Sequence, residues 1–278
     1  MLVKLPTSKR ARLTVTFEFM GQQLRTNTDS TLGTQSIQIT RTFSCEYKNY
    51  QEFAPKGETS LFQARIKAIK NAKNFIYIED QYFVLVPELL DALMEVMPRI
   101  QRLIVVTKEQ TNAFTNGGYI KYLYQNIQPI RSKYPSKFRI YTTKEELDLC
   151  IHTKLVIIDD VYLSIGSANW NRRSMTVDSE LNADVVDTDT VKSPAGLTVG
   201  KMPRDFRIRK FMEMTGLSYE KLDTMTFVEA ASQFAIAAAD KSTILSTLHS
   251  EYHIYFPLIT TTTRKLVDPE YSCPSSSN

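Results

Sequence analysis

Six residues between positions 152 and 169 carry a recognisable reaction chemistry: His152, Lys154, Asp159, Gly166, Ser167 and Asn169. Their pattern is H-x-K-x-x-x-x-D-x-x-x-x-x-x-G-S-x-N. Imidazole is partly unprotonated at neutral pH, so His152 can serve as a nucleophile towards a phosphodiester. Lys154 lies two residues further on. In a strand, positions i and i+2 share a face, so an ammonium would project beside the imidazole and offset charge building on a phosphate oxygen. Ser167 and Asn169 offer a hydroxyl and an amide to the remaining oxygens, and Gly166 lets the backbone approach a ligand. Asp159 belongs to the catalytic set by position, but an Asp that ends a strand holds a turn through backbone bonds, and that structural role is the one expected of it.

Taken singly, these residues are ordinary. A His before an apolar strand is usually structural, a Lys there is an edge charge, and Gly-Ser-Ala-Asn is a turn. The joint spacing is what argues for a phosphate site. A carboxylate that bonds an imidazole fixes its tautomer and raises its basicity. Glu180, at the entry to an apolar stretch, is the candidate, with Asp178 as the alternative.

The elements that must position these groups alternate between strand and helix. Leu155–Ile158 is β-branched and apolar, as a strand buried on both faces should be, and Val161–Ile165 reads as a second strand after Asp159-Asp160. Further strands are expected at Phe75–Val84, Arg102–Thr107, Phe138–Thr142 and Leu181–Val186. Helices are expected at Leu61–Lys73, at Pro87–Ile100 with proline at its first position, and at Tyr119–Lys133 between Gly117-Gly118 and Pro135. Thr188–Pro203, with two prolines and two glycines, reads as a loop. Helices then follow at Arg204–Thr215, Ser218–Leu222 and Phe227–Leu248, and Asp268–Asn278 reads as a frayed end. Such alternation implies an α/β layered sheet flanked by helices.

The motif resembles the HKD motif of the phospholipase D superfamily. The resemblance extends to Gln38-Ile-Thr-Arg41-Thr42-Phe43, to Phe53-Ala-Pro-Lys-Gly57-Glu58-Thr-Ser60, and to Phe75-Ile-Tyr-Ile-Glu79-Asp80-Gln81-Tyr82-Phe83. These follow in the order found in the C-terminal lobe of two-lobed enzymes, with Asp80 where Asn is common. The resemblance implies a single lobe at residues 38–187, preceded by a remnant at 1–37 and followed by a loop and C-terminal helical extension at 188–278. It implies a phosphodiesterase that cleaves phosphatidylcholine-type glycerophospholipids to phosphatidate through a phosphohistidine, with no metal or other cofactor. His152, Lys154, Asp159 and Glu180 would be its catalytic residues, and Lys154, Ser167 and Asn169 its phosphate ligands. Such enzymes use two HKD motifs. Residues 1–37 contain no histidine, and His249 and His253 match nothing in the motif. The chain is therefore expected to be a truncated lobe needing a second half-site, from a homodimer or a complementary chain. A non-catalytic remnant, a nuclease and a phospholipid synthase are the alternatives.

Composition fits a soluble globular chain, and the partner that the resemblance implies is phospholipid at a membrane surface. Hydrophobic residues make up 42% of 278, and the net charge of +4 is far from a nucleic-acid-binding signature. No stretch approaches the ~20 apolar residues of a membrane span, and the first residues lack the apolar core of a signal peptide; a full-length form could be secreted. Cys45, Cys150 and Cys273 are odd in number and widely spaced, which suggests neither a zinc site nor a disulfide framework.

Overall fold

The structure, a computed structural model, describes residues 33–50, 52–110, 113–269 and 273. Most of the expected remnant, residues 1–32, lies outside the described residues, as does most of the stretch after Asp268. In chain order the elements begin β1 (Gln35–Thr42), α1 (Ser60–Lys70), β2 (Phe75–Asp80), α2 (Pro87–Val96), β3 (Arg102–Thr107), α3 (Ala113–Lys133) and β4 (Phe138–Thr143). The motif region follows as β5 (Lys154–Ile158), β6 (Tyr162–Gly166), α4 (Arg172–Thr176) and β7 (Glu180–Asp187). The chain continues through β8 (Thr190–Lys192), β9 (Thr198–Gly200), α5 (Lys201–Thr215), α6 (Tyr219–Asp223), α7 (Phe227–Ala239), β10 (Leu245–Thr247) and α8 (Thr261–Val267).

Eight strands form one mixed sheet in the order β1-β7-β6-β5-β2-β3-β4-β10. Only β2, β3 and β4 run parallel, because α2 and α3 carry the chain back across the sheet between them. Alternation along the strands splits the core in two. Ile76, Ile78, Val156 and Ile158 pack with α1, α2 and α3, while Tyr77, Leu155, Ile157 and Leu163 pack with α5 and α7. The central strands β2 and β5 are buried along their whole length, which is why Phe75–Ile78 and Leu155–Ile158 read as apolar runs. The architecture is the expected α/β layered sheet flanked by helices.

Three local expectations need correction. The helix read over Phe227–Leu248 ends at Ala239. The Asp240 carboxylate accepts from Ser242 N, and Lys144 Nζ holds the carbonyls of Asp240 and Thr243. Leu245–Thr247 is then captured as β10 by the free edge of β4, so tertiary pairing overrides helix propensity. The expected loop at Thr188–Pro203 contains the small hairpin β8–β9, with Gly196 at φ 77° in its turn. Finally, Cys45 and Cys273 form a disulfide across 228 residues, and Asp268 is buried, accepting from Arg173 N at 2.8 Å. The start of the supposedly frayed end is therefore pinned, and only Cys150 is a free thiol. Widely spaced cysteines carry no pairing signal in sequence, because the fold alone brings them together.

Candidate functional site

The motif groups converge on one edge of the sheet, where β2 and β6 end and β5 and β7 begin. His152 is exposed and lies just before β5, not within it as the strand reading required. Lys154 is the first residue of β5, opposite Asp80 of β2. It is only 6% exposed, and its Nζ donates to His152 O at 2.7 Å and lies 3.5 Å from Gln81 Oε1. The ammonium thus braces the turn that presents the imidazole. Burial lowers the Lys154 pKa, and the nearby carboxylates of Asp80 and Glu180 oppose that shift. Among the described residues Lys154 makes no ion pair, and no hydrogen bond reaches the His152 ring.

Asp159 is remote from this edge, at the far end of β5. Asp159 and Asp160 both have positive φ, 58° and 55°, as the centre of a tight hairpin turn demands. Val161 N closes that turn onto Ile158 O at 2.9 Å. Such conformations are unfavourable for non-glycine residues, and both carboxylates hold them. Asp159 accepts from Lys73 N, Asn74 N and Phe75 N at 2.7, 2.8 and 2.7 Å. Asp160 makes a buried two-bond pair with Arg207 at 2.6 and 2.7 Å. Counting Asp159 among the catalytic residues is therefore corrected: its carboxylate ties the α1–β2 connection to the β5–β6 turn.

On β6 and beyond, Gly166 meets the need for space, but against protein rather than ligand. A Cβ there would lie 2.6 Å from Asn182 Cα and would strike Leu181 O as well. The Ser167 hydroxyl donates to Glu180 Oε2 and receives Leu181 N at 3.1 Å, so it positions β7 before it can meet a phosphate. Asn169 follows two residues later, with a buried Oδ1 that has no hydrogen-bond partner among the described residues. Asn171 caps α4, its Oδ1 accepting from Ser174 N at 2.8 Å.

Glu180 opens β7 and is 8% exposed. Its two oxygens accept from Ser167 and Ser174, the latter at 2.6 Å. It lies beside Lys154 rather than bonded to His152. Asp178, the alternative, is taken by Arg173 at 3.0 Å.

Sequence reasoning did not single out Asp80, Gln81 or Ser174 as site residues. Asp80 is 2% exposed and accepts from Tyr82 N at 2.9 Å, Phe83 N at 3.4 Å and Trp170 N at 2.7 Å. It therefore clips the turn after Asn169 to the end of β2. Burial pushes its pKa up to about 6 against the pull of those donors and of Arg65. The one available signal was its place two residues before Tyr82 at the end of a strand. A cavity of about 620 Å³ opens at the other end of β7, by Asp187 and Asp189. Its charges are paired internally, Lys201 with Asp189 and Arg204 with Asp223, and none belongs to the motif.

Residues 66–194 match a family model described as cardiolipin synthase, PLD-like domain. The chain is 28% identical to phospholipase D1 of Mus musculus, over 57% of this chain and 19% of that protein. It is 30% identical to the major cardiolipin synthase ClsA of Bacillus subtilis, over 46% and 24%. With phospholipase D1 of Saccharomyces cerevisiae it shares 28%, over 70% and 14%. The chain thus spans less than a quarter of the length of these curated relatives. Among solved structures it is similar to Nuc of Salmonella typhimurium, a phospholipase D family member, at 18% identity and a TM-score of 0.40, over 63% of this chain and 91% of that one. No helix of the described residues is long and apolar enough to cross a membrane. From the family match and the curated relatives, residues 66–194 carry a PLD-like domain of the phospholipase D superfamily.

Proposed function

We propose that this chain is one half-site of a phospholipase D-type phosphodiesterase that hydrolyses phosphatidylcholine-type glycerophospholipids to phosphatidate. The observation that carries the reading is Lys154. A buried ammonium without a direct counter-ion is costly, and of its three donors two face His152 O and Gln81 Oε1. The third is free for an anion at the motif edge. A phosphate oxygen there would relieve the uncompensated charge. The similarity to enzymes named phospholipase D1 supports the lipid assignment.

In the reaction a ring nitrogen of His152 attacks phosphorus and the bond to the headgroup oxygen breaks. That oxygen takes a proton from a second imidazole, supplied by a homodimer partner or a complementary chain, while Lys154 offsets the charge on the non-bridging oxygens. The second imidazole then removes a proton from water, whose oxygen displaces His152 and releases phosphatidate. Asn169 assists at the phosphate. Ser167, bonded to Glu180, assists indirectly by fixing that carboxylate beside Lys154. The similarity to a cardiolipin synthase favours a second reading, in which an alcohol replaces water at the same intermediate.

Incubation with phosphate-labelled phosphatidylcholine, quenched with denaturing detergent at alkaline pH to preserve the P–N bond, tests both. Label should reside on His152 and vanish in His152→Ala, and adding glycerol should divert product from phosphatidate to a phosphatidyl-alcohol only under the second reading. Turnover with no labelled protein, or label retained in His152→Ala, would reject the proposal.

A further inference from the structure

After β10 the chain climbs the outer side of α3. Arg131 takes the carbonyls of Ser250 and Leu248 at 3.1 and 3.4 Å, and Tyr124 meets the rings of Tyr252 and Phe256 at 6.1 and 5.6 Å. Lys121 Nζ then donates to Phe256 O at 2.8 Å and Ile259 O at 2.6 Å, and Ile259 comes against Gly117. The strap thus ends at the first turns of α3. That end lies on the motif edge, because Tyr119 stacks on Tyr82 at 4.6 Å, and Tyr82 follows the Gln81 that touches Lys154.

This strap is held firmly yet presents its aliphatic side chains to water. Phe256 is 3% exposed, packed among Tyr124, Tyr252 and Tyr255, and Lys121 fixes both ends of the turn that carries Leu258. Ile254 is nevertheless 92% exposed and Leu258 80%, with Tyr252 at 58%. Side chains so far clear of the surface form a convex ridge, not a flat patch. A stable protein interface needs about 800 Å² from each partner, more than two isolated tips provide. A bilayer interface asks only for tips that enter the headgroup–acyl boundary, with aromatic rings beside them. The strap is anchored on two basic side chains, Lys121 and Arg131, whose charges are met there by backbone carbonyls rather than carboxylates, which suits an anionic surface.

We propose that the Tyr252–Ile259 strap is a membrane-docking element that seats the motif edge on a bilayer containing anionic lipid, with Ile254 and Leu258 inserted. This rests on the phospholipid reading given above, and it names the surface on which that substrate is met.

The test is co-sedimentation of the chain with sucrose-loaded vesicles of phosphatidylcholine, with and without phosphatidylglycerol. The wild-type chain should partition onto the mixed vesicles more strongly than onto the neutral ones. Ile254→Ser/Leu258→Ser should bind the mixed vesicles at least about tenfold more weakly, from the apolar burial of two side chains, at an unchanged melting temperature. Equal binding by the variant, or no binding by the wild-type chain, would overturn the proposal. So would a wild-type dimer that the double substitution converts to monomer, since the ridge would then be a protein interface. Partition reads no chemistry. A chain that partitions as stated but never cleaves lipid keeps the docking strap and fails the phosphodiesterase reading; cleavage of monomeric short-chain lipid without partition does the reverse.

Discussion

Removing the Asp159 carboxylate should damage the fold while leaving the chemistry of each folded molecule intact. In Asp159→Ala the three backbone donors of Lys73, Asn74 and Phe75 lose their acceptor. The Lys73 donor is the more exposed and can turn to water, so its loss is small. The other two are part-buried, and hydrogen bonds to a charged group contribute about 1.5–3 kcal/mol each. Alanine also tolerates the φ of 58° less well than Asp, adding about 1 kcal/mol. The expected loss is therefore about 4–7 kcal/mol, a fall of at least about 10 °C in melting temperature for a domain of this size. Asp159→Asn keeps one acceptor oxygen and should fall about half as far. Thermal melts of the three proteins, with His152 labelling normalised to folded protein, provide the assay. An unchanged melting temperature with labelling abolished would refute the structural assignment and return Asp159 to the reacting groups.

Four further outcomes follow from the same geometry. Asp80 has its pKa raised to about 6, above the ~3.9 of an unfolded Asp, so the folded state holds a proton that the unfolded state has released. Its contribution is present below about pH 4 and lost as pH rises through 6; Asp80→Asn should remove that slope, and identical slopes in urea titrations from pH 4 to 7 would contradict it. Arg207→Met leaves Asp160 buried and unpaired and should cost about 3–5 kcal/mol, part of it recovered in Arg207→Met/Asp160→Asn by denaturant midpoint. A thiol reagent should titrate one cysteine, Cys150, in the unfolded unreduced chain and all three after reduction; three thiols before reduction would remove the disulfide. Gly166→Ala should destabilise the chain strongly, because its Cβ meets the β7 backbone; a circular-dichroism melt matching wild type would show that β7 can move aside.

The layered sheet was legible because its central strands are buried on both faces and therefore read as apolar runs between amphipathic helices. The motif's spacing likewise pointed to one edge, and Lys154, Ser167, Asn169 and Glu180 do meet there. What the spacing could not convey is how the groups are occupied. Ser167 and Glu180 hold each other, a relation between residues thirteen positions apart that only the β6–β7 pairing creates. Gly166 was read as room for a ligand when the crowding comes from β7. β10 was hidden in an alanine-rich helical pattern because its strand character comes from the open edge of β4. Cys45 and Cys273 were unreadable for a similar reason, since 228 intervening residues decide whether they meet.

Under the half-site proposal, His152 is the motif's one imidazole where the reaction needs two. The most direct test is the initial rate of phosphatidylcholine cleavage per mole of purified chain, measured across protein concentration, with the oligomeric state followed in the same samples. General-acid assistance is worth about 10²–10⁴-fold, so the monomer should be feebly active and specific activity should climb as dimer forms, or on adding a complementary lobe. His152→Ala should be inactive throughout. Full turnover by a monomer, independent of concentration, would contradict the claim.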